Sequence, residues 1–298
     1  MGAEQSAPAA QVRERHLRAL YINVPVPVAE LQALLTPPAR PQVHAGSGWI
    51  SIVVDDLFQL ENPVPGGFVT VPGMNGWMMK LNALVEAPLE PGGAPVAGYQ
   101  ILTLDFEQTS GPSSWAKVVG ARLTQRVPSF RADFAVSSGA TGETEASPMA
   151  AGTPYSCAVT AEGGECEGGS EELVVVRGAE LAELGDAAGA VELAAFVCAH
   201  STKFLAQGEG ESALPAVEGK PKALFCASWR EGWSCSAEGA MLVSIAGAGG
   251  EGEGEGEVAL PVLARLGLDP ALAAGAVCFL QPEYSMVDVK NTPVPSSE

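Results

Sequence analysis

The chain has 298 residues and a formal net charge of -19, with 35 acidic against 16 basic side chains. Such an acidic balance argues against general binding to nucleic acid or to anionic membrane surfaces, because both need a basic face. Hydrophobic residues make up 47% of the chain, enough for a large buried core, and no segment approaches the about 20 unbroken apolar residues of a membrane-spanning helix.

The first residues, MGAEQSAPAAQVRERHLRAL, lack the apolar run of a secretory signal. They match the short N-myristoylation pattern at Gly2 and Ser6, but one acyl chain without a second signal binds membranes only marginally. We therefore expect residues 1–16 to form a flexible tail of a cytoplasmic protein. The six cysteines form no C-x-x-C pair and have no histidine at zinc-ligand spacing, which favours free thiols and neither a metal nor another cofactor.

Strand patterns dominate the first part of the chain. HLRALYIN, GSGWISIVVDDLFQLENP, KLNALVEAP and VAGYQILTLDFEQ are rich in β-branched and aromatic residues and are bounded by turn residues, which predicts four strands. Between the first two, VPVAELQALLTPP predicts a short helix with Pro27 in its first turn and Pro37 at its end.

Helical spacing follows in SSWAKVVGARLTQRV, where Trp115, Arg122 and Arg126 fall on one stripe and Pro128 ends the helix. Two guanidinium groups on an apolar face need partners, because an arginine stays charged when buried. The sequence leaves two interpretations open: the arginines pair with carboxylates of the same chain, or they clamp an anionic ligand. The carboxylates predicted on neighbouring strands are those of Asp55, Glu61 and Asp105.

The second part of the chain continues the mainly β pattern. Residues 137–154 and the acidic stretch 247–257 predict mobile loops. YSCAVTA and ELVVVRG predict strands, AVELAAFVCAH a helix, KALFCASW with AMLVSIAG a hairpin, VALPVLARLGLDPALAAG another helix, and AVCFLQPEYSMVDVK the closing strands. We expect one domain over residues 17–290 and a C-terminal tail over 291–298.

Four stretches resemble, in sequence order, the uncharacterised YqjF-like family of the acetoacetate decarboxylase-like superfamily. The resemblance runs from about Leu17 to Val289, more loosely through 137–257, and implies a mainly β (α+β) fold: an antiparallel, cone-shaped β-barrel with a central cavity and short flanking helices. The four stretches are VPVAELQALLTP, GSGWISIVVDDLFQLENPVPGGFVTVPGM, AKVVGARLTQRVPSFRADF and ARLGLDPALAAGAVCFLQPEYSMVDV.

Acetoacetate decarboxylases resemble the chain at GARLTQRVPSFRADF, where they carry two adjacent lysines, the first of which forms a Schiff base with a β-keto acid. This sequence has Ser129 and Phe130 there, so that mechanism is absent at the matching position. The decarboxylases also use an acidic residue on the strand that matches KLNALVEAP, close to Asn82. Lys80 lies two residues earlier, on the same face of a regular strand. The sequence leaves open whether Lys80 is a relocated imine-forming lysine or a solvated one.

Three functions follow as hypotheses. In the first, a non-decarboxylating member of the superfamily binds a small organic anion in its barrel through Arg122, Arg126, Asn82 and Glu61, although Glu61 in ENP fits a turn-capping role as well. In the second, a lyase or hydratase acts on a keto acid or enol through Lys80. In the third, the barrel is a structural or oligomerisation module filled by its own side chains, and self-association is left open in every case.

Overall fold

Long β-strands form most of the computed structural model, which describes residues 12–71, 76–89, 93–106, 124–125, 131–136, 150–162, 170–186, 189–200, 202–207, 223–231, 240–245 and 256–293. The strands are β1 (Val12–Val26), β2 (Arg40–Pro41), β3 (Gly48–Val64), β4 (Gly67–Thr70), β5 (Gly76–Pro88), β6 (Pro95–Phe106), β7 (Thr124–Gln125), β8 (Arg131–Val136), β9 (Pro154–Glu162), β10 (Ser170–Glu183), β11 (Thr202–Gln207), β12 (Ala223–Glu231), β13 (Met241–Ile245), β14 (Glu257–Ala259) and β15 (Val277–Pro293).

Helices are few and short in the described ranges. The two α-helices are α1 (Val28–Leu34) and α2 (Ala190–Ala199), and 3₁₀ segments cover Leu184–Asp186, Pro261–Leu266 and Pro270–Gly275. Both α-helices were predicted from the sequence, and Pro27 precedes the first turn of α1. The mainly β class with few helices is therefore confirmed. None of the described helices has the length and apolar character to span a membrane.

The strands pair into one large mixed sheet in the order β1–β3–β5–β6–β11–β12–β15–β13–β10–β9–β8. The long strand β15 pairs with β1 along one edge. Along its other edge it pairs first with β13, at Phe279 and Leu280, and then with β12, from Val287 onwards. The strands thus form one large mixed sheet that branches at β15 and contains the parallel pair β6–β11, which differs from the antiparallel, cone-shaped barrel that the resemblance implied.

The same branching corrects the predicted hairpin. β12 and β13 pair with successive parts of β15 and with β11 and β10, respectively, instead of with each other. A local pattern cannot reveal such pairing, since both partners are distant in sequence. The prediction of one helix in VALPVLARLGLDPALAAG is also wrong, because this stretch contains two separate 3₁₀ segments. Gly267, with a φ of 72°, ends one 3₁₀ segment, and the side chain of Asp269 caps the next by accepting a hydrogen bond of 2.9 Å from the amide of Ala271.

The first strand of the sheet starts before the predicted domain boundary. β1 begins at Val12, so residues 12–16 of the segment expected to be a tail are part of the sheet. Its pairing with β3 shifts register near Leu17, and Arg18 has a φ of 51°. A bulge of this kind inserts one residue and thereby changes which alternate side chains face inward.

The strands β1, β3 and β5 are buried on both faces, which is why their sequences contain almost continuous apolar runs. One face, here called the β10 face, belongs to the hydrophobic cluster that includes residues of β9 and β10. The opposite face, called the α2 face, belongs to a second cluster that includes residues of α2. On the β10 face lie Leu20, Ile22, Ile52, Val54, Met79 and Leu81, and on the α2 face lie Tyr21, Val53, Leu84, Tyr99, Leu104 and Phe279.

A close approach of two strands completes the α2 face. β11 pairs in parallel with β6, with Thr202 opposite Gly98 and Lys203 opposite Tyr99. A Cβ atom on Gly98 would collide with the carbonyl oxygen of Thr202 and with the ring of Phe204. Glycine at position 98 therefore permits this pairing. Because Phe204 belongs to the β10 face, its neighbour Lys203 is turned to the α2 face.

Candidate active site

Five ionisable side chains are buried on the α2 face, close to the apolar side chains of the second cluster. They form what we call the buried charge cluster, and their relative exposures are 4% for Glu14, 0% for His16, 0% for Asp55, 8% for Lys80 and 7% for Lys203. Removing a charge from water is costly unless an opposite charge or a hydrogen bond compensates. The contacts within the cluster therefore decide whether it is stable.

Four of these side chains form a continuous chain of contacts. The Nζ of Lys80 lies 2.9 Å from Oδ2 of Asp55. The other carboxylate oxygen of Asp55, Oδ1, lies 3.3 Å from Nδ1 of His16. On the far side of the imidazole ring, Nε2 of His16 lies 3.0 Å from Oε2 of Glu14. Both ring nitrogens thus face a carboxylate, and only the doubly protonated imidazolium can donate to both.

The register of the sheet brings these residues together. Val53 of β3 is directly opposite Lys80 of β5, and Asp55 lies two residues beyond Val53 on the same face. Lys80 and Asp55 are therefore diagonal neighbours, within reach of a long side chain. On β1, the bulge near Leu17 turns the even-numbered residues Glu14 and His16 to the same face that the odd-numbered residues occupy further along the strand.

The environment shifts two of the pKa values in opposite directions. Burial and, to a smaller extent, the charge of Lys80 lower the pKa of His16, but the negative charge of Asp55 and the hydrogen bonds to both carboxylates outweigh them and raise it. Burial alone would raise the pKa of Glu14, but the hydrogen bond and charge of His16, and then the charges of Lys203 and Lys80, lower it. Both shifts favour the imidazolium between two carboxylates at neutral pH.

Of the predicted site residues, Lys80 and Asn82 lie at or beside the cluster. Lys80 is inside β5 and buried, whereas a solvated position was the alternative left open by the sequence. Asn82 is 6% exposed and follows two residues later on the same face. Glu61 lies elsewhere: its carboxylate is 3.4 Å from Nη1 of Arg13, a side chain that is 49% exposed. The predicted ligand-binding residues Arg122 and Arg126 lie outside the described residues.

Sequence reasoning missed three members of the cluster. Glu14 and His16 were assigned to the tail, although VRERHLR alternates arginines with Glu14 and His16, a period of two that is typical of a strand with one buried face. That alternation was the available signal. Lys203 stands in TKFLAQ, where no local pattern distinguishes a buried lysine from an exposed one, because its burial depends on the non-local pairing of β11 with β6.

A second buried carboxylate lies on the opposite face of the sheet. Asp105 of β6 is opposite Met79, a residue of the β10 face, and is fully buried. The nearest charge is Arg265, whose Nη1 is 3.7 Å from Oδ2 of Asp105 and whose Nη2 is 3.6 Å from a carboxylate oxygen of Glu171. Burial raises the pKa of Asp105 to about 7, and Arg265 offsets only part of this effect. Asp105 is therefore separate from the buried charge cluster.

The described residues contain no group of three or more histidine, cysteine, aspartate or glutamate side chains arranged to hold a metal ion. The chemistry that the described side chains offer is that of amines, carboxylates and an imidazole. These groups can bind an anion, transfer protons and, in the case of a lysine, attack a carbonyl group.

No family model matches the chain, and no curated protein matches it significantly. Solved structures with a similar chain path include an acetoacetate decarboxylase-like enzyme from Sphingomonas wittichii RW1, at 12% identity and a TM-score of 0.49 over 99% of both chains. Another is the acetoacetate decarboxylase of Legionella pneumophila, at 10% identity and a TM-score of 0.48 over 98% of this chain and 94% of the other. A third is the enduracididine biosynthesis enzyme MppR complexed with pyruvate, at 11% identity and a TM-score of 0.48 over 99% and 94%.

The first two of these carry the superfamily name that the sequence resemblance indicated. Membership of the YqjF-like family is not confirmed by any match. Similarity at this level carries no inference about chemistry, so the function is argued below from the side chains of the site.

Replacing Lys80 by methionine, which has a similar length, removes the amine that faces the buried carboxylate of Asp55. We expect a loss of about 3–5 kcal/mol in the free energy of unfolding, measured by urea denaturation, because Oδ2 of the buried Asp55 then loses its ammonium partner and only the contact with His16 at Oδ1 remains. Adding Asp55→Asn should restore part of the loss. The control is Arg40→Met, which breaks an ion pair whose arginine is 61% exposed and should cost less than about 1 kcal/mol. Equal small losses at both sites would contradict the pairing.

Asp105→Asn should change stability in a pH-dependent way. The pKa of Asp105 is raised from 3.8 to about 7 on folding, so its contribution to stability is complete at low pH and is lost as pH rises through that range. The melting temperature of the variant, relative to the unaltered protein, should therefore rise between pH 4 and pH 7 and then level off. Thr103→Val, a non-titrating change on the same strand, is the control, and a pH-independent difference for both variants would refute the assignment.

Proposed function

We propose that this is a non-decarboxylating protein of the acetoacetate decarboxylase-like kind that binds a small organic anion at the buried charge cluster. The observation that carries the proposal is the charge balance of the cluster. With His16 as imidazolium, three cations stand against two carboxylates among the described residues: His16, Lys80 and Lys203 against Glu14 and Asp55. Cations thus outnumber carboxylates within the cluster, which favours an anionic ligand over a cationic one.

An organic anion is the kind of ligand that such a cluster can accept. A carboxylate is attracted by the larger number of cations and can accept charge-assisted hydrogen bonds from the lysine ammonium groups. Lys80 is suited to such a contact because 10% of its side chain is accessible, although its amine already faces Asp55. A compact ligand is favoured because the surrounding positions on this face are occupied by bulky side chains such as Tyr21, Tyr99 and Phe279.

The proposal keeps Arg122 and Arg126 as further anion ligands and leaves Glu61 out. Both arginines stay charged and therefore need an anionic partner, which a carboxylate ligand can supply. Glu61 is left out because it forms an exposed ion pair. The absence of lysine at Ser129 and Phe130 supports a role other than decarboxylation through the family's usual lysine.

The test is ligand binding by thermal shift and calorimetry with acetate, pyruvate and acetoacetate, and with acetone as a neutral analogue. We expect the carboxylates to raise the melting temperature, more so the tighter they bind, and acetone to leave it unchanged. Lys203→Met should weaken binding at least about tenfold, which corresponds to the loss of one charge-assisted contact, and Arg126→Ala tests the sequence-predicted clamp. Arg40→Met is the matched control at an exposed cation and should bind as the unaltered protein does.

If none of these anions stabilises the unaltered protein, the binding function fails. The structural or oligomerisation module then becomes the better interpretation, with the cluster acting only as an internal ion-pair network.

A second candidate function is a lyase or hydratase that acts on a keto acid through an imine at Lys80. The contact of 2.9 Å between Nζ of Lys80 and Oδ2 of Asp55 favours it, because the carboxylate can accept a proton from the ammonium and release the nucleophilic amine. The amine would attack the keto carbon, the carbonyl oxygen would leave as water, and the resulting iminium would draw electrons from the adjacent carbon. Asp55, or Glu14 next to His16, could then accept the proton of that carbon.

Borohydride trapping tests this second candidate. The protein is incubated with pyruvate or acetoacetate and reduced, and its peptides are examined by mass spectrometry for the reduced adduct. The expected adduct is on Lys80, is absent in Lys80→Arg, and persists in Lys203→Arg, which keeps a cation at the neighbouring buried site. An unmodified Lys80, or equal labelling of all lysines, would remove the imine mechanism without affecting the anion-binding proposal.

A further inference from the structure

A row of three polar side chains crosses the α2 face one step from Lys80. Asn23 of β1 pairs directly with Ser51 of β3, and Ser51 pairs directly with Asn82 of β5. The three residues are 0%, 2% and 6% exposed, respectively. We call them the polar row. Their strands are neighbours at about 4.8 Å spacing, so the row extends over about 10 Å, the length of a small organic molecule.

Each member of the polar row has an oxygen atom without a hydrogen-bond donor in the described part of the chain. These atoms are Oδ1 of Asn23, Oγ of Ser51 and Oδ1 of Asn82. The amide nitrogen of Asn23 is satisfied by the carbonyl of Val277 at 3.2 Å, which fixes the orientation of this amide and leaves its oxygen pointing away. Buried acceptors without donors are rare and destabilising. Three in directly paired positions on adjacent strands indicate a place where donors are supplied from outside the chain.

The position of the row relative to Lys80 sets the distance between the two ends of a ligand. Lys80 and Asn82 are two residues apart on β5 and share a face, so about 7 Å separates their backbone positions. A chain of roughly four or five carbon atoms spans this distance. The donors at the far end should be neutral, because a second cation would be repelled by His16, Lys80 and Lys203.

We propose that the ligand is a short-chain hydroxy acid, whose carboxylate lies at the buried charge cluster and whose hydroxyl group donates to the polar row. This inference rests on the proposed anion-binding function and specifies the class of its ligand. Discrimination follows from the orphaned acceptors: the hydroxyl hydrogen pairs with one of them, and a ligand that lacks the hydroxyl leaves that acceptor unpaired as well.

Calorimetry with pentanoate, 4-hydroxypentanoate and 5-hydroxypentanoate tests the inference. At least one hydroxylated acid should bind about three- to tenfold more tightly than pentanoate, as expected for one additional hydrogen bond to a neutral acceptor. In Asn82→Leu and in Ser51→Ala this preference should disappear, while pentanoate should bind at least as tightly as before. Both variants should also melt at a higher temperature, because each removes an unsatisfied buried oxygen.

Thr103→Val is the matched control. Its hydroxyl oxygen is also buried without a partner in the described residues, but Thr103 pairs with Leu81 and therefore faces the β10 side. The hydroxy-acid preference should persist in this variant. A preference that persists in Asn82→Leu and Ser51→Ala, or equal binding of all three acids to the unaltered protein, overturns the inference and indicates that bound water satisfies the row.

These outcomes separate the inference from the function on which it rests. If none of the three acids binds and the panel of smaller carboxylates also fails, anion binding itself is refuted. If pentanoate binds through Lys80 and Lys203 without any preference for a hydroxyl group, anion binding stands and the hydroxy-acid specificity is wrong.

Discussion

The structure depends on one constraint: β1, β3 and β5 are buried on both faces, so any ionic side chain on them must find its partner inside the protein. Asp55 illustrates the consequence. It is fully buried and has the amine of Lys80 at one oxygen and the imidazole of His16 at the other. Sheet register sets the first contact, and the bulge in β1 sets the second. The charge pattern of the site is thus a result of strand pairing.

Local elements were predictable because their signals are local. The helix α1 follows Pro27, in line with the short helix predicted between Pro27 and Pro37, and α2 lies in the predicted stretch AVELAAFVCAH. The predictions that failed concern which strands pair with each other and the architecture of the whole sheet. β12 and β13 appear in sequence as consecutive apolar strands, which is typical of a hairpin, yet both pair with the distant strand β15. The barrel was expected from the family resemblance alone, and the branched sheet depends on the pairing of this long strand with β1, β12 and β13.

The candidate site was predictable only in part, for a similar reason. Lys80 and Asn82 were identified through their place on a strand and through a family resemblance. Glu14 and His16 were missed because a strand with alternating arginines and a net positive sequence resembles a solvated tail until a neighbouring strand covers one of its faces. Lys203 had no signal at all, because its burial requires Gly98 to admit β11 next to β6.

The energetics of the α2 face argue for a ligand more strongly than any single contact does. A sheet with two hydrophobic layers has no need of buried ions for stability, since apolar side chains of similar size in place of a buried ion pair are often neutral or stabilising. The polar row adds acceptors that contribute no hydrogen bond within the described chain. The buried charge cluster and the polar row lie on the same face, and Lys80 of the cluster is only two residues from Asn82 of the row. Three cations and two carboxylates beside a row of acceptors are complementary to a molecule that carries one negative charge and one donor, and the donor of such a molecule would pair with one acceptor of the row.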